Sequence, residues 1–161
     1  MALAVLFRVT SDRRPSVPPP AAATEIACAE PDPFATELIR RALAPLGLRA
    51  RAVAGPRAAL DLVLSGPSLL IVGETFGGGR GVALAGEARR VRPGVEVLLL
   101  TADPRVQALV RDLAVEGVTV AARPFSVDDL TRAVAGMMDR QGVMPGPALV
   151  RASSPPPPSA S

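Results

Sequence analysis

Apolar positions along the chain follow two alternating rhythms. Glu25 to Ala29 is a short apolar run that predicts a strand. Asp32-Pro33 then predicts a helix start, with Asp as N-cap and Pro at the first helical position, where its missing N–H goes unnoticed. Phe34, Leu38, Ala42 and Leu46 recur every four residues, Ile39 and Leu43 widen that stripe, and Gly47 is placed to end the helix. Leu48 to Ala54 alternates apolar residues with arginine, the pattern of a half-exposed strand. Pro56 to Leu64 predicts a second helix, closed by Ser65-Gly66-Pro67. Leu69, Leu70, Ile71 and Val72 run unbroken into Gly73, which predicts a strand buried on both faces. A glycine-rich loop leads to a third helix from about Val82 to Val91.

After the turn Arg92-Pro93-Gly94, Val95 to Leu100 is a second continuous apolar strand. Asp103-Pro104 repeats the capping device for a fourth helix reaching about Val115, and Gly117 breaks it before the strand Val118 to Ala122. Ser126 with Asp129 three residues on forms a capping box for a fifth helix, whose apolar side is Leu130, Val134, Met137 and Met138. Five strands alternating with five helices through short connections predict an α/β fold. The expected form is a flavodoxin-like, doubly wound, five-stranded parallel sheet of order 2-1-3-4-5.

The expected domain covers residues 24–140. Residues 1–23 and 141–161 are Pro-rich tails without periodicity, expected to be disordered with polyproline II character. Pro155 to Pro158 are consecutive and have the composition of a ligand for an aromatic-lined groove on a partner, although a loose end is the expected state. ALAVLF near the N-terminus is short, is broken by Arg8 and precedes no convincing cleavage site, so a signal peptide is not expected and Met1 need not be the true start. No apolar run approaches a membrane span.

Composition narrows the chemistry. The chain of 161 residues has no His, so it lacks the commonest general base and metal ligand. One cysteine, Cys28, excludes an internal disulfide and fits a reducing, cytoplasmic setting, where it reads as a small core residue. The net charge of +3 lies in the tails, because residues 24–140 hold 14 Arg and 14 acidic residues. With a neutral domain and almost no aromatic residues, nucleic-acid binding is not expected.

Several segments together resemble the receiver domain of two-component response regulators over roughly residues 24–140. IACAEPDPFATELIRRALAPLGLRARAV is similar to that family's first strand, acidic cluster, first helix and second strand. GETFGGGRG, from Gly73 to Gly81, has the length of the family's aspartate-containing loop, VLLLTA resembles the fourth strand with its hydroxyl residue, and ARPF lies where the family has a lysine-proline pair followed by an aromatic.

The resemblance implies a carboxylate that accepts a phosphoryl group, two acids that hold Mg²⁺, and a hydroxyl and a lysine that bind the phosphoryl oxygens. On this chain those positions are occupied by Gly73 for the acceptor, Glu30 and Pro31 for the acidic pair, Thr101 for the hydroxyl and Arg123 for the lysine. Glycine cannot form an acyl phosphate, and Arg is not an equivalent of Lys. No catalytic residue and no cofactor are therefore expected. The expectation is a stand-alone pseudo-receiver, not an enzyme, acting by contact with a signalling partner or itself through the fourth helix, fifth strand and fifth helix, where Arg105, Arg111, Arg132 and Arg140 supply charge. The alternative is a phosphorelay regulator in which a one-residue slip makes Glu74 the acceptor and Glu30 with Asp32 hold Mg²⁺. A third reading is a small-ligand site at the emptied strand ends. GETFGGGR lacks the Lys-Ser/Thr of a phosphate-binding P-loop, and helix capping is the expected role of Asp32.

Overall fold

The computed structural model describes residues 24–66, 69–112 and 115–142. The proline-rich segments outside these ranges, including Pro155 to Pro158, lie outside the described residues. Five parallel strands form one sheet of order β2-β1-β3-β4-β5: β1 Thr24–Ala29, β2 Leu48–Ala52, β3 Leu69–Gly73, β4 Glu96–Thr101 and β5 Val118–Ala122. The helices between them are α1 Pro33–Leu43, α2 Pro56–Ser65, α3 Phe76–Gly79, α4 Gly81–Val91, α5 Pro104–Asp112 and α6 Val127–Gln141.

Period-two alternation divides the core in two. Ile26, Cys28, Leu69, Ile71, Leu98 and Leu100 face α1 and α6, where they meet Ile39, Leu43, Leu130 and Met137. Ala27, Ala29, Leu70, Val72, Val97 and Leu99 face the other way, onto Ala59, Val63, Leu84 and Ala88 of α2 and α4. The central strands β3 and β4 are buried along their whole length, which accounts for their continuous apolar sequence. The edges differ: β2 is largely exposed and β5 is half-buried.

The caps are as the sequence predicts. The Asp32 carboxylate accepts from the Phe34 N–H at 2.9 Å, and Ser126 and Asp129 form a reciprocal capping box at α6. Beyond α1 the chain tightens into a 3₁₀ turn, Ala44–Leu46, before Gly47 reverses it with φ of 70°. At the far end of α6, the Arg140 guanidinium donates to Glu96 Oε2 at 3.0 Å and Thr119 Oγ1 at 2.9 Å. Glu96 is buried at the start of β4, so Arg140 both neutralises it and ties the end of α6 to the lower edge of the sheet.

The expected five helices become six. The loop after β3 is not a plain glycine-rich connection, because Phe76–Gly79 coil into one extra turn. Gly77, Gly78 and Gly79 have φ of 63°, 76° and 89°, which a residue with a Cβ adopts only at a cost. The turn carries Phe76 into the core, where it is 6% exposed against the α2/α4 layer. One boundary also shortens, since β2 ends at Ala52 rather than Ala54, and the helix expected to reach about Val115 is described from Pro104 to Asp112, with residues 113 and 114 outside the described residues.

Gly81 sets how closely α4 approaches β3. A Cβ there would lie 2.0 Å from the Gly73 carbonyl oxygen and 2.8 Å from the Glu74 Cα, both backbone atoms that cannot rotate away. Gly81→Ala is therefore expected to destabilise the domain by about 3 kcal/mol or more, read from urea unfolding.

A second prediction concerns pH. A hydrogen bond from the Ser126 backbone N–H, and after it one from the Ser126 hydroxyl, hold the Asp129 carboxyl below its ordinary value of 3.8. A depressed carboxylate pKa stabilises the fold above the unfolded-state value and stops doing so once pH falls through the folded-state value. Ser126→Ala keeps the backbone bond but removes the hydroxyl's, so it should lower the melting temperature at neutral pH, and the difference from the unmodified protein should shrink without vanishing below about pH 4, as thermal unfolding across pH would record.

Candidate functional site

Parallel pairing brings the carboxyl ends of β1, β3, β4 and β5 to one edge of the sheet. Ala29 pairs with Val72, so the next residues, Glu30 and Gly73, are neighbours. Gly73 pairs with Leu100, so Glu74 and Thr101 follow side by side. Thr101 pairs with Ala122, and the Arg123 N–H donates to the Thr101 carbonyl at 2.9 Å. Glu30, Gly73, Glu74, Thr101 and Arg123 are thereby assembled by register alone.

Alternation then sorts them. Glu30 and Gly73 continue the α1/α6 face, whereas Glu74 and Thr101 continue the α2/α4 face. On the first face, a Cβ on Gly73 would lie 2.2 Å from Glu30 Oε2 and 3.0 Å from its Cδ. The Glu30 carboxylate thus fills the room that a side chain at position 73 would need. It is held there from two sides, by Arg123 Nη2 donating to Oε2 at 2.6 Å and by the Asp32 N–H donating to Oε1 at 3.0 Å. The Glu30 side chain is fully buried and that of Arg123 is 25% exposed, so this ion pair is shielded from solvent on the acid side.

Arg123 has a second contact. Its guanidinium lies 5.3 Å from the ring centroid of Phe125, within cation–π range. A planar fork can bond a carboxylate at one edge while its face meets a ring, which a lysine ammonium cannot reproduce. The Arg123–Pro124 peptide between them is cis.

On the opposite face the Glu74 carboxylate accepts from the Thr101 hydroxyl and, at 3.3 Å, from the Ala102 N–H. Thr101 is fully buried, and its oxygen also accepts from the Asp103 N–H at 3.0 Å. Glu74 therefore lies beside the hydroxyl position, linking the end of β3 to the β4–α5 connection.

The positions singled out from sequence have separate fates. Glu30, Gly73 and Arg123 form one contact set, and Glu74 with Thr101 forms another. Pro31 is exposed and offers no ligand, and Asp32 turns outward to cap α1. These donors do not fit Mg²⁺. One carboxylate oxygen of Glu30 is committed to a cation, the other to a backbone N–H, and no second or third acid joins it. Among the described residues no group of three or more His, Cys, Asp or Glu is arranged to hold a metal ion. Cys28, two residues before Glu30, is buried, and burial pushes its thiol up to about 12. The pairing of Glu30 with a vacant position 73 was not anticipated from sequence. Its signal is the combination of a long acid at 30 with no side chain at 73, since the extra methylene of Glu carries the carboxylate across.

Solved structures resemble this fold. A response regulator receiver domain protein from Clostridium thermocellum superposes with a TM-score of 0.62 at 15% identity, over 74% of this chain and 98% of that one. A two-component response regulator from Clostridium difficile gives a TM-score of 0.61 at 18% identity, over 73% and 98%. NtrX from Brucella abortus, solved in complex with ADP, gives a TM-score of 0.58 at 21% identity. That match takes in 75% of this chain but only 29% of NtrX, so this chain spans less than a third of that protein's length. No protein-family model and no curated protein matches the sequence. The architecture is thus that of the receiver fold, a flavodoxin-like α/β sheet of order 2-1-3-4-5.

The occupancy of position 73 by Glu30 is testable with a double-mutant cycle. Gly73→Ala alone should cost about 1–3 kcal/mol, because it displaces a pinned carboxylate. In a Glu30→Ala background the same change should cost less than about 0.5 kcal/mol, measured by urea unfolding of all four proteins.

Proposed function

We propose that this chain is a receiver-type signalling module that acts by protein–protein contact without phosphorylation. The observation that carries this reading is the buried Glu30 carboxylate above Gly73. In the family that the sequence resembles, that space belongs to the phosphoacceptor and its metal. Here it holds a carboxylate to which Arg123 is already committed, and an incoming phosphoryl group would have to displace that pair from the space it fills. The Glu74–Thr101 contact supports the same reading, because the hydroxyl that would report phosphorylation is already engaged by a carboxylate of the same chain. The reading is of a fixed conformation rather than a switch.

The partner surface in this reading is the face of α5, β5 and α6, equivalent to the fourth helix, fifth strand and fifth helix of the sequence. No residue of α5 is fully buried, Leu109 is 52% exposed, and a cleft of about 410 Å³ lies between α5 and β5, lined by Val110, Arg111, Val118 and Val120. The four arginines placed there from sequence are not alike. Arg132 bonds Asp129 at 2.9 Å and Arg140 is committed to Glu96, while Arg105 and Arg111 are exposed. A signalling protein, or a second copy of the chain, would meet Leu109, Arg105 and Arg111 first.

The test is incubation of the full chain with Mg²⁺ and either acetyl phosphate or beryllofluoride, followed by intact mass and amide NMR. The expected result is no phosphoryl increment and no shifts clustered at Glu30, Gly73, Glu74 and Thr101. A phosphoryl adduct on Glu74, or beryllofluoride shifts at those residues, would replace this reading with that of a phosphorelay regulator.

A further inference from the structure

The run Pro155 to Pro158 plays no part in the function proposed above, yet a groove of matching chemistry lies on the domain itself. It runs between the start of α1 and the β5–α6 turn and holds about 370 Å³. Phe34, Leu38, Pro124 and Phe125 supply its apolar walls, and Asp32 and Arg123 its charged groups. Phe34 is 72% exposed, the largest exposure among the big apolar side chains of the described residues. Two of the four phenylalanines in the chain thus flank one groove. Proline segments favour such surfaces because the polyproline II helix is already ordered and packs its rings between aromatic side chains.

We propose that Pro155 to Pro158 dock intramolecularly in this groove as a polyproline II segment. The reach of the chain selects this occupant. Phe125 stands just before the first turn of α6, and the end of α6 is tied to the opposite edge of the sheet through Arg140–Glu96 and Gln141 with the Gly94 carbonyl. The 15 residues of α6 separate these two ends by about 22 Å. The 13 residues beyond Gly142, up to Pro155, reach at most about 45 Å when fully extended, enough for the prolines to cover that distance. A linker long enough to bridge the two ends makes the contact intramolecular, so one too weak for a free peptide is favoured in cis. The N-terminal prolines Pro18 to Pro20 are worse placed. Full extension from Thr24 to Pro18 is about 20 Å, which only matches the length of β1 and leaves nothing for the sideways step to the groove. Docking would cover Phe34 and Phe125 and so shield the outer side of the Arg123–Glu30 pair.

The test is paramagnetic relaxation on the full-length chain with a nitroxide attached through Ser159→Cys. The buried Cys28 thiol, with its pKa pushed to about 12, stays unlabelled at neutral pH. The expected result is a loss of amide intensity at Phe34, Leu38 and Phe125, with none at Ala88 on the opposite face of the sheet. That loss should disappear when all four prolines are changed to serine, and also in Phe34→Ser, an exposed position whose change leaves the core untouched. A uniform loss, no loss, or a loss that survives the proline substitutions overturns the proposal. So does bleaching of unlabelled ¹⁵N chain by added spin-labelled chain, which would assign the groove to a second copy. The readout is independent of any response to a phosphodonor, so this proposal and the proposed function fail separately.

Discussion

Parallel strand register is the constraint on which the rest of the structure depends. Because β1, β3, β4 and β5 run the same way and pair without slippage, five residues from four separate stretches of the sequence reach one edge of the sheet together. The same register, through its period of two, sends Glu30 and Gly73 to one face and Glu74 and Thr101 to the other. Each carboxylate therefore meets a different partner, and the two do not compete for one pocket. A shift of a single residue in β3 would exchange the faces and bury Glu74 against the Ile39–Leu43 side of the core.

The edge so formed satisfies itself. Glu30 is neutralised by Arg123 and a backbone N–H, Glu74 is engaged by a hydroxyl and a backbone N–H, and no buried polar side-chain atom among the described residues lacks a partner. A buried carboxylate without such partners would cost several kcal/mol. Glycine at 73 and glutamate at 30 are thus two halves of one packing solution. Arg123 belongs to it as well, since its planar group spans from Glu30 to Phe125 and links the edge of the sheet to the groove beside α1.

Much of the fold was legible because its signals are local. Asp32-Pro33, Asp103-Pro104, Gly47 and the Ser126/Asp129 box mark helix ends through contacts within a few residues, and the runs Leu69–Val72 and Val97–Leu100 carry the burial of the central strands in their composition. The loop after β3 was less legible. Three glycines read as freedom, whereas their left-handed backbone folds a turn around the buried Phe76. The end of β2 was overrun for a related reason: at an exposed edge nothing in the apolar pattern says where hydrogen bonding stops.

The candidate site divides in the same way. Sequence alone determined which residue types stand at the strand ends, and that Gly73 has no side chain to phosphorylate, since these follow from identity and spacing. Only the tertiary structure decided what occupies the vacancy and which acid meets which partner. Glu30 and Arg123 are 93 residues apart, Glu74 and Thr101 are 27 apart, and the groove joins Phe34 to Phe125. Contacts at such separations depend on side-chain length, face and register together, and no local pattern in the chain encodes that combination.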